Sequence, residues 1–493
     1  MNREKDGAGG RATASLHGIQ WAQTIILAAV VVLPVLICLI LAIVEDPDIW
    51  WHLRTGEWIW QHHAVPWTDS FSSFGAGKSW AAYSWLFELI VYQLFRRMGL
   101  VGLVSYSASM VALIAVAMYR MVQRLQVDFS LSVLLTMMMG ITLWHTYEPR
   151  PWLFSILFFT LEVGILLQVR KSGHAWELLW LPPLFALWAN LHIQFIDGLV
   201  VLGIATAESL AARWVSAVRT HLRADWLGGI FLASILAPLA NPYGWRIYPI
   251  ARDLASQPGV LNSVGEMTAM AFRRFDDWLV LLFALAAVAV LAWARRTDFF
   301  QMLLLAFAIY VAFRSQRDAW VLVIVGGAIV AGGLRGDKEN RLRLTPVFAL
   351  LAMVATGVAV TAGFWVLQVN NAHLRMRLAE TLPVQAVEVV KEKGWSGPLY
   401  NDYTWGGYLI WALRMPVSID GRAALHGDKQ INLNHDTWNG LPGWASDPNL
   451  QKAGLVIGPV SAPLTQLLRM DPRFELTYED KVAAVFIARL PAH

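Results

Sequence analysis

Apolar runs of roughly 17–22 residues recur along the first three quarters of the chain. Each is about the length a helix needs to cross the hydrocarbon core of a bilayer. Lipid offers no water to backbone N–H and C=O groups, so repeated runs of this kind specify a bundle of spanning α-helices. Composition agrees, since 57% of the 493 residues are hydrophobic and only 15% charged, against about 25% charged in a soluble domain. The 25 Trp, many at the ends of apolar runs, suit the aromatic belts of a membrane–water interface.

The runs place spans near residues 22–44, 100–119, 129–146, 152–169, 177–190, 197–212, 227–240, 277–294, 299–313, 318–332 and 346–367. Residues 1–20 are polar, with Arg3, Lys5 and Arg11 ahead of the first span. They read as a cytoplasmic tail before a retained signal-anchor helix. With that end inside, the inside loops hold Arg120 and Arg124; Arg170 and Lys171; Arg213, Arg219 and Arg223; Arg295 and Arg296; and Arg335, Lys338, Arg341 and Arg343. Every inside loop is then basic, as the positive-inside rule requires. Residues 80–97 (WAAYSWLFELIVYQLFRR) are apolar enough to count as a span, but counting them moves all later basic loops outside. They read instead as an amphipathic, membrane-parallel helix in a first external loop, 45–99.

The expected fold is a polytopic α-helical membrane protein with about 11 transmembrane helices over residues 21–368. Residues 369–493 are charged and amphipathic, with a helix-like stretch at 382–393 and β-branched runs at 398–400, 416–419, 454–457 and 483–488. That alternation predicts a small α/β domain on the external side. The single Cys38 lies in the first span, which excludes an intrachain disulfide and a cysteine metal cluster. The net charge of +4 is spread over loops, where it sets topology and implies no nucleic acid.

This topology gathers the polar motifs on one face: Glu45-Asp46-Pro47-Asp48, Tyr147-Glu148-Pro149-Arg150-Pro151, Asn190-Leu191-His192, Asn241-Pro242-Tyr243-Gly244, Glu266 and Arg314-Ser315-Gln316-Arg317-Asp318. Pro47 fixes its own φ and keeps Asp46 out of helical conformation, so two carboxylates leave the first span on a rigid extended turn. A carboxylate held near apolar surface has a raised pKa and accepts a proton from an alcohol near neutral pH; the alternative is a helix stop with solvated acids. Trp50, Trp51 and His52 either stack on a sugar or anchor the interface. Arg150 between two prolines, and the Arg314/Arg317 pair, offer guanidinium forks that match phosphate, or else pair with Glu148, Asp318 or lipid headgroups. Asn190 and His192 end a span as substrate contacts or as a helix cap. Glu266 is a second carboxylate over the acceptor or a solvated residue, and the Asn241 turn reads as structural.

In the external domain, the Gly pair of Asn401-Asp402-Tyr403-Thr404-Trp405-Gly406-Gly407-Tyr408 predicts a tight strand-to-helix turn, and Ser418-Ile419-Asp420-Gly421-Arg422 follows it. His-Glu-x-x-His, Gly-x-Ser-x-Gly and P-loop patterns are absent, and with them the reactions they signal. Largely apolar span interiors lack the midplane polar groups of a transporter.

The acid pair after the first span, the long first external loop, the outward polar face and the external C-terminal domain resemble the GT-C superfamily of membrane glycosyltransferases. More narrowly, DPDIWWHLRTGEWI, EPRPWLFS, WANLHIQF, NPYG, NDYTWGGYLIW and SIDGR resemble a bacterial branch of that superfamily, over nearly the whole chain. The resemblance implies transfer of a sugar from a polyprenyl-phosphate carrier to a glycan, lipid or protein acceptor by inverting displacement. It implies a multi-pass protein of the bacterial inner membrane, with the N-terminus cytoplasmic and the C-terminal domain periplasmic or extracellular. By position, Asp48 looks like the acceptor-activating carboxylate and Asp46 its partner or the alternative base. Arg150, Arg314 and Arg317 then grip the donor phosphate, and His192, Asn190, Glu266, Trp51 and His52 contact substrate or membrane lipid. Where the superfamily often carries a second acidic motif, Glu148 is the only acid. This leaves a divalent cation, Mg or Mn, open as cofactor, with Asp46, Asp48 and Glu148 as candidate ligands. The alternative is a non-catalytic membrane scaffold or polysaccharide-assembly subunit that binds lipid or glycan. Geometry separates the two, because only an enzyme needs Asp46 or Asp48 to face Arg150, His192, Glu266, Arg314 and Arg317 across one cavity.

Overall fold

The computed structural model describes residues 2–42, 44, 46–215, 218, 220, 222–255, 265–294, 298–338 and 340–489. Glu45, Arg219, Arg295 and Arg296 lie outside the described residues, as do the side chains of Glu266 and of residues 2–16, Arg3, Lys5 and Arg11 among them.

Helices α1 (Asn2–Leu41), α2 (Ile49–His62), α3 (Trp85–Met98), α4 (Leu100–Leu125), α5 (Phe129–Thr142), α6 (Trp152–Ser172), α7 (Leu181–Leu191), α8 (Phe195–Ala211), α9 (Ala224–Leu236) and α10 (Ile247–Ala255) come first. They are followed by α11 (Phe275–Trp293), α12 (Phe299–Arg314), α13 (Ala319–Gly333) and α14 (Pro346–Val366). A helix therefore lies in each stretch expected to span. Among the described residues, five are long and apolar enough to cross a membrane unaided: His17–Leu41 within α1, and α4, α6, α11 and α14. The segment 224–254 adds a sixth if counted as one span bent by 105°. Helices α5 and α12 are apolar but shorter.

The expected surface helix 80–97 is helical only from Trp85. Its 14 residues reach about 21 Å, short of a hydrocarbon core of about 30 Å. Gly99 (φ 66°, ψ −144°) then turns the chain straight into α4, in a conformation that a β-carbon disfavours.

Helix α13 is apolar all round and buried from Ala319 to Ala331, as a central helix must be. Gly326 and Gly327 let Phe283 of α11 and Met139 of α5 approach its backbone. Helix α14 is its opposite, with Met353 65% and Trp365 82% exposed. An apolar stripe of that extent is stable against lipid.

Alternate connections meet at the same end of the bundle. At one end Arg170 in the last turn of α6 pairs with Glu208 of α8 and, at 3.0 Å, with Asp298 before α12. There too the Asn340 amide donates to Asp128 Oδ1 (3.1 Å) and Gln23 Nε2 to the Arg341 carbonyl (3.1 Å). The basic residues Arg170, Lys171 and Arg341 lie at this end. The connections α1–α2, α5–α6, α7–α8 and α12–α13 meet at the other.

Beyond α14 come α15 (Asn371–Thr381), α16 (Val384–Lys393), α17 (Gly406–Leu413) and α18 (Ala423–Trp438), the last kinked at Gly427. Strands β1 (Leu399–Asn401), β2 (Leu455–Pro459), β3 (Phe474–Glu479) and β4 (Ala483–Ala488) form a sheet in the order β1-β2-β4-β3. Strands β1 and β2 are parallel and the other pairs antiparallel. The expected β run 416–419 stays out of this sheet. Val417 instead bridges Ser72 of the first long connection, with the Ser73 N–H donating to its carbonyl (2.9 Å). Its partner is a loop more than 300 residues away, which local propensity cannot register. Strand β3 (FELTYE) went unexpected because it is an edge strand, half-exposed and short of β-branched residues.

Candidate functional site

Asp48 stands at the N-cap of α2, yet its side chain makes no capping bond. It pairs with Arg150 Nη1. Asp46, 4% exposed, accepts the Asp48 N–H through Oδ1 (2.9 Å) and meets Arg150 Nε through Oδ2 at 2.5 Å. Burial pushes the Asp46 carboxyl well above the usual carboxylate range, against the pull of Arg150. Arg150 is itself held. Its N–H donates to the Glu148 carbonyl (2.8 Å), its carbonyl accepts from the Tyr106 hydroxyl (3.0 Å), and its guanidinium lies 5.1 Å from the Trp152 ring.

Asp48 and Arg150 open onto a cavity of about 690 Å³. His192, Arg314 and Arg317 line it from the ends of α7 and α12, and Trp51 and His52 from α2. The chain thus brings seven of the residues singled out in the sequence to one space. Asp46 sits behind Arg150. Asn190 is not brought to the cavity: its Oδ1 accepts from Trp85 Nε1 (2.8 Å), and its Nδ2 donates to the carbonyls of Ala186 (2.7 Å) and Ala240 (3.0 Å). Its work is to tie α7 to α3 and to the Asn241 turn. That turn is structural, as read: Asn241 Oδ1 accepts the Tyr243 N–H (2.9 Å), and the Tyr243 hydroxyl donates to Pro66 O (2.8 Å). Next to Glu266, Met267 lines the cavity.

Both cavity histidines, His52 and His192, are held below the usual histidine range, with burial the main cause. Burial and then the charge of Arg317 bring His192 down to about 3, and its Nδ1 lies 2.7 Å from Ser155 Oγ, which also accepts from Trp188 Nε1 (2.7 Å). His52 is lowered by burial, then by Arg150 and His192. Its Nδ1 lies 3.1 Å from Glu88 Oε1, and burial pushes Glu88 well above the usual range. Sequence reasoning missed Glu88, although a lone acid inside an apolar helix is a known sign of function at a membrane.

The C-terminal unit closes the cavity with Tyr403, Gly421 and Arg422. A β-carbon at Gly407 would run into the Pro47 carbonyl, and one at Gly421 into the Asp48 carboxylate. Arg422 bonds Asp420 (2.8 and 2.7 Å) and Asp69 of the first long connection (2.5 Å). Burial pushes the Asp420 carboxyl up, but Arg422 and His426 outweigh it and hold the group well below the usual range. The glycine pair does turn β1 into α17, through a single 3-10 turn at Tyr403–Trp405.

The candidate metal ligands are turned to a cation of the protein's own in this structure. Asp46, Asp48 and Glu148 (3.9 Å) all face the Arg150 guanidinium, which already supplies the positive charge they surround. Among the described residues, no group of three or more His, Cys, Asp or Glu is placed to hold a metal ion.

The polar cavity lies at one end of an apolar helical bundle and is capped by a small α/β unit, a fold that this chain shares with a solved structure. The chain is similar to the archaeal oligosaccharyltransferase AglB of Archaeoglobus fulgidus, solved in complex with an inhibitory peptide and a dolichol-phosphate. The match covers 88% of this chain and 69% of that one, with a TM-score of 0.54 and 12% identity. An Archaeoglobus fulgidus oligosaccharyltransferase in complex with Zn and sulfate aligns over 87% and 68%, with a TM-score of 0.49 and 12% identity. No family model matches the chain, and no curated protein matches its sequence.

Proposed function

We propose that this membrane protein is a glycosyltransferase that moves a sugar from a polyprenyl-phosphate carrier to an acceptor hydroxyl at the outer face of a bacterial inner membrane. In this reading about 11 helices span, the basic loops are cytoplasmic, and residues 369–493 form an external domain. The observation that carries the reading is that Asp48 shares one cavity with Arg150, Arg314 and Arg317, at the end of the bundle away from Arg170, Lys171 and Arg341.

The acceptor hydroxyl oxygen attacks the anomeric carbon while Asp48 takes its proton. The bond from that carbon to the phosphate oxygen breaks, and the electron pair leaves with the lipid phosphate, inverting the centre. Arg314 and Arg317 hold the developing charge with oriented N–H groups. Arg150 and Asp46 fix the position of Asp48, while His192, Trp51 and His52 contact substrate. Ile193, Ile196 and Val311 supply an apolar wall suited to the carrier's isoprenoid chain, and no step runs through a metal. The test is mass spectrometry of surface glycans from cells lacking the protein, complemented with wild type or Asp48→Asn. Loss of a glycan, restored by wild type alone, supports the enzyme; restoration by Asp48→Asn favours a scaffold.

A further inference from the structure

Ser155 stands in the first turn of α6, fully buried, and two side chains meet its hydroxyl. The Trp188 indole N–H donates to Ser155 Oγ at 2.7 Å, and His192 Nδ1 lies 2.7 Å from the same oxygen. An indole nitrogen only donates, so the Ser155 oxygen is the acceptor in the first bond. The hydroxyl hydrogen still needs an acceptor, and among the described residues its partner is His192 Nδ1. Were Nδ1 protonated, Ser155 would keep a buried donor with nothing to receive it, which is costly. Nδ1 is therefore bare, and the ring carries its proton on Nε2.

Trp188 fixes the backbone of His192 as well as its ring. The Trp188 carbonyl accepts the His192 N–H (2.8 Å), and its indole stacks on Phe185 at 5.8 Å and 16°. Burial and then the charge of Arg317 keep a second proton off the imidazole. His192 lines the cavity together with Arg317. Its Nε2 makes no hydrogen bond among the described residues and, unlike Trp51 Nε1, is not closed off by neighbouring atoms. An Nε2–H on an uncharged ring gives a hydrogen bond and takes no proton. Such a donor suits a phosphate oxygen whose charge Arg317 already meets.

We propose that Trp188 and Ser155 are positioning residues that hold His192 as an Nε2–H donor to an oxygen of the carrier phosphate, so that His192 is not the base for the acceptor. The proposal rests on the cavity being a glycosyltransferase site. It is read without turnover, by solid-state nitrogen NMR on full-length protein in nanodiscs with isotope-labelled histidine. The chain has 12 His, so the His192 signals are those lost in His192→Gln. Wild type is expected to show Nδ1 as a hydrogen-bonded bare nitrogen and Nε2 as an N–H. Ser155→Ala is expected to lose that Nδ1 signal, and Ser155→Thr, which keeps the hydroxyl, to retain it. Geranyl phosphate is expected to shift the wild-type Nε2 signal.

A protonated Nδ1 in wild type overturns the proposal, as does an unchanged Nδ1 signal in folded Ser155→Ala. Binding of geranyl phosphate, seen in its phosphorus line, without movement of Nε2 overturns the phosphate contact. If geranyl phosphate does not bind, the carrier reading fails and the contact with it, whereas the nitrogen signals decide the tautomer separately.

Discussion

Gly421 of the C-terminal unit rests directly against the carboxylate of Asp48, leaving no room for a β-carbon between them. Asp48 thus has a guanidinium beside it, at Arg150, and a bare backbone against its Oδ1. Gly421→Ala must displace either the SIDGR segment or the carboxylate. Because Asp420 and Arg422 are pinned in a buried network, the carboxylate is the part that yields. Transfer is expected to fall by about 10²-fold, the cost of misplacing a reacting group by about 1 Å. Parallel assays of kcat/KM and thermal unfolding check this; loss of activity with unchanged stability is the expected pair of results.

Arg150 is 10% exposed beside an Asp46 side chain that is 1% exposed. Arg150→Met removes the cation from a buried cluster and leaves its acids without compensation. Breaking such a pair costs about 3–5 kcal/mol. Asp46→Asn combined with Arg150→Met removes one acid together with its partner and is expected to recover part of that loss. Denaturant titration in micelles reads both variants, and additive losses in the double variant would count against the coupling.

Arg317 lines the cavity, and its Nε lies 3.8 Å from Asp318. If it stabilises a leaving phosphate, Arg317→Ala lowers kcat far more than it raises the donor KM. The expected loss is about 10²–10³-fold, as for other groups aimed at developing charge. A variant altered only in donor KM assigns Arg317 to ground-state binding of the carrier instead.

Much of this site can be read from the chain because each part is short and local. Asp48 follows Pro47 in the short connection from α1 to α2, Arg150 sits between two prolines, and Arg314 and Arg317 stand at a helix end. Such punctuation survives in one dimension. Glu88 does not announce itself, because only its contact with His52, 36 residues away, turns a lone acid into half of a pair. Val417 misled for the same reason, since its partner is Ser72. Asn190 has the residue type and position of a ligand, but Trp85 and two carbonyls use up its hydrogen bonds. Periodicity and turn chemistry carry the helices and their ends, while pairings between distant segments decide which polar groups remain for substrate.

His192 gives a pH dependence whose sign follows from its burial. Burial and then Arg317 depress its folded-state value to about 3 from the ordinary histidine value of about 6.5. Below about 6.5 the unfolded chain takes up a proton at this residue that the folded protein refuses until about 3. Protonation therefore favours the unfolded state, and this contribution to stability falls as pH drops through that window, by at most about 1.4 kcal/mol per pH unit. Asp46 and Glu88, both raised by burial, act in the opposite sense, so the wild-type curve alone does not isolate His192. The difference between wild type and His192→Gln does. Gln keeps a polar group beside Ser155 and carries no titrating proton. Wild type is expected to lose stability relative to His192→Gln between pH 6.5 and 5, with the two curves parallel above pH 7.5. Parallel unfolding curves down to pH 5 would show that His192 gains its proton as readily folded as unfolded, and the neutral, Ser155-bonded imidazole would have to be abandoned.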